Sequence, residues 1–268
     1  MKKNKLVIIS GVTGSIGQEV LRKYMVEQNT LIYGISRKGI PVSEFTVLPS
    51  HHLIVNVNLH DNLSIKEFAG KIPQNEYESI TYFHLVGEFK TEITKDLKVS
   101  IENDVNNDGI DDSVYSLVAN AYKEMVTSLL EISEKSHCEI NIISFGSLAD
   151  QHNIECFSSF RRSRELVRNF SKDCKEKCPL ANFYLFNTST MMAADEMLER
   201  PFIFSTPVNP LYWITPHELV QKTVGFMELE KGFVEEDMYL PNPHFSSDYF
   251  CNNVTCVRRV KELYNKVV

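Results

Sequence analysis

Near the start of the chain, Lys5-Leu-Val-Ile-Ile-Ser-Gly-Val-Thr-Gly-Ser-Ile-Gly17 sets three glycines directly behind a short apolar run. Leu6 to Ile9 is wholly apolar and mostly β-branched, as a strand buried on both faces requires. Gly11, Gly14 and Gly17 follow at spacings of three, and Gln18 to Gln28 has the apolar spacing of an amphipathic helix. A strand feeding a glycine-rich turn that opens a helix commits the chain to a βα start. The same arrangement binds phosphate: missing Cβ atoms let a pyrophosphate approach the backbone, and the N–H groups of the helix start face its charge. Gly11, Thr13, Gly14, Ser15, Ile16 and Gly17 are the residues expected to line such a site. The same spacing also serves a tight βα turn that holds no ligand.

Composition narrows the partners. With 43% hydrophobic and 24% charged residues, 268 residues are enough for one large α/β domain with a buried core. A net charge of −7 and the lack of a Lys/Arg-rich run argue against general nucleic-acid binding. The apolar run behind Met1-Lys-Lys-Asn-Lys5 is too short for a signal peptide, and no segment approaches the length of a membrane helix, so no membrane association is expected. Cysteines at 138, 156, 174, 178, 251 and 256 lack the tight pairing of zinc sites, so reduced thiols of a cytoplasmic protein are expected and no metal.

Strand and helix patterns then alternate. Thr30 to Lys38 is a second apolar strand ending in Ser36, Arg37 and Lys38. In a dinucleotide fold this end lies beside the adenosine ribose. An acidic residue there would suit a free 2′-hydroxyl, whereas two cations suit a 2′-phosphate, so NADP(H) is favoured over NAD(H). His52 to Asn58 reads as the third strand, with Asn58 and Leu59 placed to hold an adenine. Leu63 to Ile72 is a helix, and Ile80 to Gly87 a fourth strand closing on glycine. The segment Asp104 to Asp112 imitates a calcium loop but has Tyr115 where a bidentate Glu is needed, so it reads as an acidic surface loop capping a helix near Ser113. This alternation is the pattern of a Rossmann-like, doubly wound parallel β-sheet with helices on both faces.

Over about residues 4 to 241 the order of parts resembles the short-chain dehydrogenase/reductase family. Ser10-Gly-Val-Thr-Gly-Ser-Ile-Gly17 is similar to the family's Thr-Gly-x-x-x-Gly-x-Gly turn, with Ser15 in one glycine slot. His84-Leu-Val-Gly87 stands where the family has Asn-Asn-Ala-Gly, keeping only Gly87. Val114 to Ser133 matches the following long helix, with Asn120 where the family keeps an asparagine for a proton-relay water. Glu139 to Ser144 matches the strand that delivers the catalytic serine. After the sixth strand, Ala181 to Asn187, the family's Pro-Gly is replaced by Asn187-Thr-Ser-Thr190, whose Thr188 and Thr190 could still reach the cofactor. Residues 191–209 would form the substrate lid. Thr215, Pro216 and Glu218 read as the capped start of a late helix, and Phe233 to Pro241 as the last strand. The tail, 242–268, carries a final amphipathic helix. The whole chain is expected to be a single domain, assembled as a homodimer or homotetramer through the helices beginning near Val114 and Phe157.

The resemblance implies hydride transfer between nicotinamide and a carbonyl or alcohol carbon, with a tyrosine as proton donor and a lysine one helical turn later. Ser144 fills the serine slot. The tyrosine slot holds Phe157 and the lysine slot Arg161, and no Tyr-x-x-x-Lys occurs anywhere in the chain. Phe has no ionisable proton, and Arg keeps a cation but cannot carry a proton. Three readings follow: an oxidoreductase acting on an unknown small molecule with Ser144, Tyr184, His152 or a water supplying the proton; a silent NADP(H)-binding regulator or subunit; and an interaction protein on a borrowed scaffold.

Overall fold

The computed structural model describes residues 4–36, 52–73, 77–87, 92, 101, 103–105, 107–147, 157–188 and 214–238. Among the described residues seven strands form one parallel sheet: β1 Asn4–Ser10, β2 Thr30–Ser36, β3 His52–Asn56, β4 Tyr77–His84, β5 Glu139–Ser147, β6 Ala181–Thr188 and β7 Phe233–Met238. Their spatial order is β3-β2-β1-β4-β5-β6-β7. The winding direction therefore reverses between β1 and β4, and in sheets of this kind the crevice outside the strand ends at such a reversal is where ligands bind.

The helices α1 Ser15–Met25, α2 Asn62–Lys71, α3 Asp112–Tyr115, α4 Ala121–Ser136, α5 Ser158–Lys177 and α6 Pro216–Leu229 cover both faces. Alternation along the strands assigns the faces. Leu6, Ile8, Ile80, Tyr82, Ile140 and Ile142 pack with Phe68 of α2, Met125 and Leu129 of α4, and Phe160 and Val167 of α5. Val7, Ile9, Phe83, Ile143, Tyr184 and Phe186 pack with Val20, Leu21 and Tyr24 of α1 and with Leu219 and Val220 of α6. Each such fully buried aliphatic or aromatic side chain contributes about 1.5–3 kcal/mol.

Where local chemistry differs from simple periodicity, element bounds differ. Helix α1 begins at Ser15, three residues before the amphipathic pattern, because Gly14 serves as its N-cap. Strand β4 begins at Tyr77, where the register against β1 shifts between Asn4 and Lys5. The apolar spacing of Leu166, Val167 and Phe170 predicts a helix from Arg162 to Cys174, whereas α5 runs over Ser158–Lys177, 20 residues, starting four residues earlier and ending three later. The long helix after β4 is interrupted by a π-helical turn at Ser116–Asn120, where Ala121 N–H reaches back five residues to Ser116 O. The late helix is as expected, with a capping box between Thr215 and Glu218 and Pro216 in the first turn. Asp111 caps α3 by accepting from Ser113 N and Val114 N. In the acidic loop before it, the Asp104 carboxylate accepts from Asp108 N and Gly109 N.

Candidate functional site

The turn after β1 is built by close backbone approach. Gly11 has φ +79°, and a Cβ there would lie 2.9 Å from Leu85 O, in the segment that follows β4. Gly11 N–H and Val12 N–H donate to Ile35 O at 3.1 and 3.3 Å, which ties the turn to the end of β2. A Cβ on Gly17 would run into Gly11 O and come within 2.7 Å of Val12 Cα, so only glycine lets α1 pack this tightly against the turn. Gly14 is exposed, and as N-cap it has no side chain to close the helix end. Thr13 is exposed and Ser15 and Ile16 are half-buried beside it. Gln18 Nε2 donates to Thr13 O at 3.2 Å, bracing the loop from the helix side.

The other expected ligand residues fall at or after the ends of β2, β3, β4 and β6. Ser36 is buried at the end of β2, and Arg37, Lys38 and Thr190 lie outside the described residues. Asn58 is exposed, its amide oxygen accepting from His60 N at 3.2 Å, while Leu59 packs into the core. Gly87 is exposed near Val118 and Phe160, 3.7 and 4.0 Å from where its Cβ would be. Thr188 Oγ1 donates to Gly146 O at 3.0 Å.

Beside the turn, parallel pairing sets Ser10 against His84 and His84 against Ser144, one row at the ends of β1 and β4 and three residues before the end of β5. All three are buried, on the face covered by α4 and α5. Their hydrogen bonds have a determined direction. His84 Nε2 faces Leu117 O at 3.0 Å, and a carbonyl only accepts, so Nε2 carries the proton. Burial, with the nearby Arg164 cation, holds the His84 pKa down at about 3, so the ring is neutral and Nδ1 is an acceptor. Tyr82 Oη, 2.8 Å away, donates to it, and Ser10 Oγ then donates to Tyr82 at 3.0 Å. Burial pushes the Tyr82 and Tyr122 hydroxyls well above the usual phenol range. The chain Ser10–Tyr82–His84–Leu117 thus links the glycine turn to the π-helical turn.

Ser144 has a different partner. Arg164 of α5, itself buried, donates from Nη1 to Ser144 Oγ at 2.7 Å. Phe157 is buried at the first turn of the same helix. Arg161 is half-buried, and its Nε has no hydrogen-bond partner among the described residues. The start of α5 is closed by Glu92, a buried acid from the segment after β4, which accepts from Ser158 N at 3.1 Å, Ser158 Oγ at 2.6 Å and Ser159 N at 3.0 Å. Asn120 lies in the π-helical turn and donates from Nδ2 to Asn62 Oδ1 at 2.7 Å. Tyr184, a candidate donor from sequence, sits on the opposite sheet face and donates to Glu230 O at 2.8 Å. His152, the other, lies outside the described residues.

Arg164 and Glu92 are the residues that sequence reasoning missed. Arg164 stands three positions before the buried Val167, so helical spacing could have turned it inward. Glu92 carries no such signal. Among the described residues no group of three or more His, Cys, Asp or Glu could hold a metal ion, and no helix is long and apolar enough to cross a membrane. Cys138, Cys174 and Cys178 are free thiols.

No protein-family model matches the chain, and no curated protein matches it in sequence. Solved structures do match in shape. The chain is similar to serine dehydrogenase from Escherichia coli at 13% identity, covering 87% of this chain and 97% of that one with a TM-score of 0.65. It is similar to a short-chain dehydrogenase from Streptomyces avermitilis at 11% identity, 98% and 97% coverage and a TM-score of 0.69. It is also similar to 4-hydroxyisoleucine dehydrogenase complexed with NADH, at 13% identity, 88% and 97% coverage and a TM-score of 0.69. The chain therefore has the Rossmann-like fold of the short-chain dehydrogenases.

Proposed function

We propose that this chain binds a nicotinamide dinucleotide at the β1–α1 turn and acts as an oxidoreductase on a carbonyl or alcohol substrate through a non-standard active site. The observation that carries the reading is the turn itself. Gly11 and Gly17 let strand, turn and helix pack backbone against backbone, and the exposed N-cap Gly14 puts no side chain over the first N–H groups of α1, which fits a pyrophosphate. Gly11, Thr13, Gly14, Ser15, Ile16 and Gly17 hold the diphosphate in this reading, Asn58 and Leu59 the adenine, and Gly87, Thr188 and Thr190 the nicotinamide side. Similar folds were solved with such cofactors, serine dehydrogenase with NADP+ and 4-hydroxyisoleucine dehydrogenase with NADH. Ser36, Arg37 and Lys38 favour the 2′-phosphorylated form.

When bound, the dinucleotide supplies the redox equivalent. The chain's own residues supply the rest: Ser144 presents a hydroxyl to the substrate oxygen, Arg164 holds that hydroxyl in place, and Phe157 shields the slot from water. In this reading Asn120 and Arg161 flank the site without moving a proton.

Titration with NADPH and NADH, followed by reduced-nicotinamide fluorescence and then a carbonyl panel, tests this. Tighter NADPH binding and slow reduction abolished by Ser144→Ala are expected. Absence of binding to either nucleotide overturns the reading. Arg37→Ala is expected to weaken NADPH by about 1.5–3 kcal/mol while sparing NADH, as loss of a charge-assisted contact does. Equal losses for both refute the 2′-phosphate assignment. A second reading, a nucleotide-binding subunit without turnover, is favoured by Phe157 in the proton donor's place, and NADPH binding without oxidation across the panel would select it.

A further inference from the structure

We propose that Arg164 is the positioning residue of this site: it fixes Ser144 as an obligate hydrogen-bond donor and makes its hydroxyl more acidic, in place of the missing Tyr-Lys pair. The proposal rests on the reading of Ser144 as the group that meets the substrate oxygen.

The first step of the argument is directional. A guanidinium offers only donors, so in the 2.7 Å contact Ser144 Oγ must be the acceptor. A serine hydroxyl has one hydrogen, and that hydrogen cannot point back at Arg164. Among the described residues the contact from Arg164 is the single hydrogen bond to Ser144 Oγ, so the hydroxyl proton has no acceptor there. In the reading of Ser144 as the group that meets the substrate oxygen, that oxygen is its acceptor.

The second step is electrostatic. Arg164 is buried, so its charge acts on Ser144 with little screening by water and favours any negative charge that develops on Oγ. Two described neighbours, His84 and Tyr122, do not compete for this role. His84 is held neutral, with Nε2 committed to Leu117 and Nδ1 to Tyr82. Tyr122 is engaged with Ser171 Oγ at 2.8 Å.

The third step is position. Phe157, Arg161 and Arg164 fall at i, i+4 and i+7, one stripe of α5. The cation that reaches the serine is therefore one helical turn deeper than the lysine slot. Donating the proton breaks the Ser144 O–H bond and forms one to the substrate oxygen. The electron pair stays on Oγ beside the guanidinium until a solvent proton restores the hydroxyl.

The experiment replaces the hydroxyl by a titratable reporter. Ser144→Cys, Ser144→Cys with Arg164→Gln, and Ser144→Cys with Arg164→Lys all keep the six native cysteines, so differences between them isolate position 144. Thiolate absorbance and the pH dependence of iodoacetamide labelling are read without cofactor. The midpoint is expected to be lower by about one unit or more with Arg164 than with Gln, and Lys is expected to fall between them. Equal midpoints overturn the proposal. Should the Gln variant fail to fold, Arg164→Met makes the same neutral comparison. NADPH titration of the same proteins keeps the two claims apart: failure to bind overturns the dinucleotide reading, while the thiol midpoints still decide whether Arg164 acts on position 144. For a carbonyl that the wild type reduces, Arg164→Gln is expected to lower kcat by about tenfold or more with KM little changed. An unchanged kcat also overturns the proposal.

Discussion

Acid should destabilise this protein through one histidine. His84 is fully enclosed between Tyr82, Tyr122 and the π-helical turn, and its pKa falls from 6.5 to about 3. The unfolded chain takes up a proton as pH drops through 6.5, while the folded chain refuses it until about 3. Stability from this group is therefore complete above 6.5 and declines as pH falls through that window. The whole shift corresponds to about 5 kcal/mol at most, and about 2 kcal/mol of it is lost by pH 5 relative to pH 8. The lowered pKa of Glu218, due to its hydrogen bonds with Thr215, gives stability that is lost only as pH falls below its ordinary 4.5. Urea unfolding followed by circular dichroism at pH 8 and pH 5 measures the difference. His84→Gln keeps a donor and an acceptor but has nothing to titrate, so its stability is expected to change by about 2 kcal/mol less between the two pH values. Identical pH dependence in variant and wild type would refute a buried neutral ring.

Other substitutions probe the cradle and the helix that faces it. Gly17→Ala should cost about 1–3 kcal/mol and weaken NADPH, because its Cβ meets backbone. By contrast Gly70→Ala, with nothing within 4 Å, should raise stability by about 0.5–1 kcal/mol. A thermal melt of both distinguishes them, and matching melts would refute the packing argument. Glu92→Ala should cost about 1–2 kcal/mol by uncapping α5, read as a shift in urea midpoint. A midpoint equal to the wild type's would show that Glu92 does not hold that helix.

Much of the architecture was legible because its determinants are local. The apolar run before Gly11 and the Thr215–Glu218 box act over a few residues, and the sheet places both as expected. What stayed hidden depends on partners far along the chain. Glu92 caps a helix that starts 66 residues later, and nothing near Glu92 announces it. In α5, Arg161, Arg162, Arg164 and Arg168 look alike in sequence. The fold sends Arg162 to Asp108 O, Arg168 to Glu235 and Arg164 inward to Ser144. Counting from a motif finds the slot at Arg161, but only the packing of the helix on the sheet decides which cation enters the core.

The wide turn at Ser116–Asn120 amounts to one inserted residue. In a regular helix Ala121 N–H would occupy Leu117 O, whereas here it bonds Ser116 O and His84 takes the Leu117 carbonyl instead. Because the bulge absorbs the extra residue, Val114 before it, Val118 within it, and Tyr122 and Met125 after it all face the core. Closing the turn into regular helix would set Ala121 N–H on the Leu117 carbonyl beside His84 Nε2, so the imidazole would then share that acceptor with the main chain.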